Sequence, residues 1–179
     1  GGAALGLLCV ALVLVPGAAF WHTLRGWMFG VFGIITYLLG PFLLYLAYLL
    51  AAGYKVEETM VLPDEAKALK AQLIRLADGR QVNLILTTGG TGFSPRDITP
   101  EATYAVATRS APGIAEAIRA ASLQITRHAM LSRAVSVIRG KTLIINLPGS
   151  PKACMESMDV FLDTLPHGLA LLRGEQADA

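Results

Sequence analysis

Leu84-Ile85-Leu86-Thr87-Thr88-Gly89-Gly90-Thr91-Gly92-Phe93-Ser94-Pro95-Arg96-Asp97 is a short apolar run that passes into a glycine-rich turn and ends on an Arg-Asp pair. A run of this kind, bounded by turn residues, reads as a buried strand. Glycines directly after a strand let the backbone approach a bound group and aim N–H donors at phosphates. Thr91 and Ser94 add hydroxyls, and Asp97 adds a carboxylate able to hold a divalent cation. The pattern reads as a nucleotide-handling loop on an α/β domain. A glycine-rich turn with no ligand is the competing reading from spacing alone.

The surrounding sequence supplies the domain. Tyr54 to Val61 suits a strand, and Pro63-Asp64 precedes a helix over Glu65 to Ala77. Its apolar positions Ala66, Leu69, Leu73, Leu76 and Ala77 recur at helical spacing. Val82 to Thr88 is the next strand, so a strand-helix-strand unit delivers the glycine loop, as in parallel sheets. Thr99-Pro100 opens a helix as an N-cap followed by proline. Further helices are predicted over Pro100 to Thr108, Gly113 to Leu123, Pro151 to Leu162 and Pro166 to Leu172. Strands over Ala134 to Ile138 and Thr142 to Leu147 flank a hairpin turn at Arg139-Gly140-Lys141. Ligands of open α/β sheets bind beyond the carboxyl ends of strands, where Gly89 to Asp97 and Pro148 to Ser150 both fall.

Several separate motifs resemble, in order, those of the molybdopterin adenylyltransferase family, which includes the bacterial MogA and MoaB proteins and the G domain of gephyrin. They are Val61-Leu62-Pro63-Asp64-Glu65, the stretch Thr87 to Thr103, Ala129 to Arg133, Arg139 to Ser150, and Leu165-Pro166-His167. The resemblance covers about residues 52–173. It implies a three-layer α/β/α molybdopterin-binding-like domain. It also implies Mg²⁺- and ATP-dependent adenylylation of molybdopterin, with release of pyrophosphate, in a homotrimer. Asp64 and Asp97 match the family's catalytic, Mg²⁺-holding aspartates; a helix cap and a turn residue are the plainer readings. Gly89, Gly90, Thr91, Gly92 and Ser94 would cradle the nucleotide phosphates. Ser122, Ser132, Asn146, Pro148, Gly149 and Ser150 would face the pterin, with Ser122 also readable as a helix cap. Arg133 and Lys152 could steer anionic substrates or simply be solvated.

The first fifty residues are unlike the rest. All 13 acidic residues lie after Val56, and Arg25 is the only Lys or Arg before Lys55. The net charge of +2 is therefore an average over two unlike parts and gives no sign of nucleic-acid binding. Gly1 to Phe20 and Trp27 to Ala52 are apolar runs, and a hydrocarbon core takes about 20 residues of helix. They read as a transmembrane hairpin with spans at about 4–20 and 27–51, edged by Trp21, Trp27 and Tyr54. A cleaved signal peptide accounts for one run only, and a buried helix pair is the remaining alternative. Phe20 to Gly30 and Gly40 to Tyr45 loosely resemble the N-terminal membrane region of FtsK/SpoIIIE-type DNA translocases, but no Walker A pattern follows.

The expected organisation is thus a membrane segment over 1–52, the molybdopterin-binding domain over 53–174, and a tail over 175–179. The protein is expected at a membrane, with its soluble domain cytoplasmic; Arg25 in the short outer loop opposes that orientation. The family's first strand and its Ser-Asp loop are not found before Gly53, and the chain opens on Gly1 without methionine. A natural fusion, a misassembled gene and a truncated sequence would each give this pattern. Loss of a central strand strands its backbone partners. An impaired molybdopterin-binding module and a non-functional membrane chimera are therefore the alternatives to the enzyme. His22, His128 and His167 lie far apart, and Cys9 and Cys154 do not read as a disulfide.

Overall fold

The computed structural model describes residues 54–175, and the compact unit that carries the glycine loop runs from Met60 onward. The elements follow as α1 (Ala66–Ile74), β1 (Leu84–Thr88), α2 (Thr99–Val106), β2 (Arg109–Ser110), α3 (Pro112–Leu123), β3 (Ser136–Arg139), β4 (Thr142–Leu147), α4 (Pro151–Asp159) and α5 (Leu165–Arg173). One wide turn, Arg75–Gly79, extends α1, and a 3₁₀ turn, Arg127–Leu131, follows α3. The predicted helix over Glu65 to Ala77 is therefore α1 together with its wide final turn.

The four strands form one mixed sheet in the order β1-β4-β3-β2. β1 and β4 are parallel, with Leu84 opposite Leu143 and Thr88 opposite Leu147. β3 and β4 form the predicted hairpin, with Arg139 opposite Thr142, and Gly140 takes the positive φ of 57° that a two-residue turn requires. All six residues of β4 are buried. A strand buried on both faces needs a continuous apolar run, and Leu143-Ile144-Ile145 supplies it.

The alternation of β4 sorts the two faces. Ile144 and Val137 pack with Leu73 and Ala77 at the α1 end and with Val106 of α2. On the opposite side, the buried Ser136 hydroxyl donates to the Ala111 carbonyl at 2.6 Å. It also accepts from the Ala115 N–H of α3 at 3.1 Å. Cys154, Met158, Phe161, Leu165 and Leu169 complete the core. Sheet and flanking helices make the expected three-layer α/β arrangement.

Two expectations change. Tyr54 to Val61 is not a strand: it pairs with none of the four, and Val61 is 99% exposed. An extended segment becomes a strand only when a neighbour takes up its N–H and C=O groups. β2, only two residues long, was not predicted; Arg109-Ser110 has no periodicity to read and is held through its pairing with β3. The expected membrane spans at 4–20 and 27–51, and the translocase-like stretch, lie outside the described residues. Among the described residues no helix is long and apolar enough to cross a membrane.

Candidate active site

Because β1 and β4 are parallel, their carboxyl ends lie level and bring two loops together. The Gly89 N–H donates to the Leu147 carbonyl at 3.1 Å. A methyl group on Gly149 would stand 3.3 Å from the Gly89 Cα, a tight approach that one of the two backbones would have to relieve. Gly89 and Gly90 take φ of 86° and 63°, a left-handed pair that reverses the chain at low steric cost. A Cβ on Gly90 would fall 2.4 Å from the Thr99 hydroxyl oxygen.

Beyond that reversal the loop is held by its carbonyls. The Thr99 N–H donates to the Gly90 carbonyl at 3.1 Å, and the Arg133 N–H to that of Thr91 at 2.8 Å. The Arg133 Nε donates to the Gly92 carbonyl at 2.7 Å. Its two terminal nitrogens reach the Asp97 carbonyl and the Glu101 carboxylate. Among the described residues, the amides of Gly90, Thr91 and Gly92 donate to no protein group. Three consecutive carbonyls are thus tied down, while the three amides stay open. This is the polarity that an anion needs.

Asp97 closes the loop. Its Oδ2 accepts from the Ser94 N–H at 3.0 Å, and its own N–H donates to the Ser94 carbonyl at 2.9 Å. Asp64, exposed just before α1, has its Oδ2 3.6 Å from a terminal nitrogen of Arg96. The residue next to Asp97 therefore links the two aspartate segments. A depression of about 500 Å³ opens beside the Asp97 segment alone, lined by Phe93, Ser94, Pro95, Asp97, Ile98, Glu101 and Arg133.

The remaining predicted site residues divide. Gly149 and Ser150 are exposed beside the glycine loop, with Pro148 half-buried. Ser150 caps α4 through its carbonyl, which accepts from the Cys154 N–H at 2.8 Å, so its hydroxyl is not a cap. Ser132 precedes Arg133 and accepts, through its hydroxyl, the Ala134 N–H at 3.3 Å. Ser122 lies at the end of α3, where its carbonyl accepts from Ile125 and Thr126 N–H groups at 3.0 and 2.9 Å. Asn146 is fully buried. Its amide nitrogen donates to the Thr87 hydroxyl at 2.8 Å and the Thr103 hydroxyl at 3.0 Å, and its oxygen accepts the Val135 N–H at 3.3 Å. It braces β1, α2 and the entry to β3 from inside.

Arg133 is neither of the things its sequence position suggested. It fastens the loop, across 36 and 41 residues of chain, and no local pattern signals a contact so distant. Glu101 and Thr99, its allies in holding the loop, were also missed as site residues; they sit in the first turn of α2. Lys152 pairs with Glu156 one turn on, at 3.7 Å. Burial pushes the Cys154 thiol above its ordinary value, so it is an inert core group rather than a nucleophile.

Fold and loop together define an α/β domain with a glycine-rich loop between two parallel strand ends. Residues 42–167 match the family described as "Probable molybdopterin binding domain", and the chain belongs to that family. It is 46% identical over 117 residues to the molybdopterin adenylyltransferase of Haemophilus influenzae, covering 65% of this chain and 58% of that protein. Among solved structures it resembles the molybdopterin biosynthesis enzyme MoaB of Thermus thermophilus (TM-score 0.65, 47% identity, 69% of this chain and 78% of that one). It also resembles the Mog protein of Mycobacterium ulcerans (TM-score 0.68, 40% identity, 74% and 85%). The chain therefore spans less than two thirds of the adenylyltransferase's length.

These findings correct the membrane localisation. The family match begins at residue 42 and so takes in the last ten residues of the apolar run assigned to the span at 27–51. The relatives matched are molybdopterin adenylyltransferases, and nothing in the matches supports the translocase resemblance.

Proposed function

We propose that this chain adenylylates molybdopterin as part of molybdenum cofactor biosynthesis. A terminal phosphate oxygen of molybdopterin attacks the α-phosphorus of ATP, forming a P–O–P bond. The bond between the α-phosphorus and its bridging oxygen breaks, and pyrophosphate leaves with that oxygen. The observation that carries this reading is the loop in which Gly90, Thr91 and Gly92 have tied carbonyls and open amides. Such a loop neutralises phosphate charge without having to reorganise when the charge shifts.

Asp64 and Asp97 fit Mg²⁺, which takes one or two carboxylates together with phosphate oxygens. Asp97 is fixed by Ser94 and Asp64 by no more than a long ion pair, so one anchors and the other can adjust. Bound Mg²⁺ would offset charge on the polyphosphate. The glycine amides and Ser94 would hold the nucleotide. Ser132 and the Pro148-Gly149-Ser150 loop would meet the pterin phosphate, with Ser122 at the far rim. Asn146 would act from beneath by keeping the two loops in register. The family resemblance favours a homotrimer.

A second reading is favoured by one observation. Among the described residues the sheet has no strand on the side of β1 away from β4. The domain would then keep pterin affinity and lack turnover. Purified protein mixed with molybdopterin, ATP and Mg²⁺ decides: adenylyl-molybdopterin and pyrophosphate appear in equal amounts if the enzyme reading holds. Tight pterin binding without either product selects the binding module.

A further inference from the structure

We infer that Arg133 is a positioning residue that sets the shape of the nucleotide loop. One side chain bonds the Gly92 carbonyl, the Asp97 carbonyl and the Glu101 carboxylate, and the same residue's N–H holds the Thr91 carbonyl. These bonds span the loop from its glycines to its aspartate and join both ends to the lead-in of β3. Glu101 takes up the guanidinium charge, and two of the remaining donors face main-chain oxygens. Arg133 therefore acts by geometry rather than by attracting an anion. Only a planar fork with donors in several directions spans three acceptors at once; an ammonium on a flexible stem does not. Without the fork the Gly92 and Asp97 carbonyls lose their partner, and the Asp97 carboxylate loses its fixed distance to the Gly90 to Gly92 amides.

The inference rests on the proposed adenylyl transfer for its kinetic consequence but not for its structural one, and the test separates the two. Arg133→Lys and Arg133→Ala are compared with Arg139→Ala, which removes a guanidinium at the other end of β3, away from the loop. In steady-state assays with ATP, Mg²⁺ and molybdopterin, both Arg133 variants are expected to lose roughly a hundredfold in kcat, the usual effect of a misplacement near 1 Å. The Mg²⁺ concentration for half-maximal rate should rise, while the KM for molybdopterin stays within about twofold. Arg139→Ala should stay within about threefold of the unaltered protein throughout. Unchanged kcat and Mg²⁺ requirement in Arg133→Ala would overturn the inference. So would an Arg133→Lys variant of full activity, since charge alone would then suffice.

If the unaltered protein makes no product, the adenylyl-transfer reading fails and Arg133 is judged by amide hydrogen exchange. Peptides covering residues 93–99 of Arg133→Ala, whose Ser94, Arg96, Asp97 and Thr99 amides are hydrogen-bonded, should exchange at least tenfold faster, with β4 peptides unchanged. Equal exchange in the loop would refute the positioning role whether or not the protein turns over.

Discussion

Two arginines bracket β3, Arg133 just before it and Arg139 at its end, and they fasten opposite ends of the sheet in different ways. Arg139 forms a two-pronged pair with Asp78 and donates to the Val106 carbonyl at 2.7 Å. It joins the turn after α1, the end of α2 and the hairpin, all of which are complete in themselves. Arg133 bonds chiefly main-chain carbonyls of a loop with no regular structure, and leaves the amides on the same peptides open. The first arginine joins finished parts. The second makes one part what it is. Stability and binding geometry can thus come from the same residue type, separated only by what the guanidinium holds.

The comparison can be broken from either end. Asp97→Ala removes a carboxylate and little packing. Adenylylation should fall more than about a hundredfold, since even outer-shell losses at metal sites cost 10–100-fold. The urea midpoint should hardly move; a large drop in stability would mean that the ligand end also carries the fold.

Gly90→Ala is the next largest. Positive φ and the 2.4 Å overlap with Thr99 oppose a methyl group there. The expected loss is about 2–3 kcal/mol by urea unfolding, in the range of overpacking plus backbone strain. Turnover should fall with it. Arg139→Ala should cost about 1–2 kcal/mol, the scale of charge-assisted bonds that are partly exposed, and leave kcat intact. A loss of kcat there would erase the distinction between the two ends.

Arg96→Ala should have the smallest effect. Its ion pair with Asp64 is long, and the two side chains are 83% and 52% exposed. Such pairs contribute less than about 1 kcal/mol, so the melting temperature should stay put. The half-saturating Mg²⁺ concentration should fall slightly, because Asp64 no longer shares its charge with Arg96.

Much of this domain could be read in one dimension. Leu143-Ile144-Ile145 marks a strand covered on both faces, and Leu69, Leu73 and Leu76 mark the buried stripe of α1. Pro100, Pro151 and Pro166 fall in the first turns of their helices. The glycine loop was legible for the same reason, since reversal and close approach both demand glycine locally. Tyr54 to Val61 was misread because β pattern records only the strand itself, whereas a strand exists through its neighbour. Asn146 was placed at the pterin from its motif, yet its side chain faces inward to Thr87 and Thr103.

Sequence alone therefore determined the helices, the β1, β3 and β4 strands, the glycine turn and the family to which they belong, because helical period, strand burial and left-handed backbone are properties of neighbouring residues. Tertiary structure decided what the polar residues do. Whether an arginine attracts an anion or holds three oxygens depends on which distant carbonyls the sheet brings within about 3 Å, the reach of a hydrogen bond.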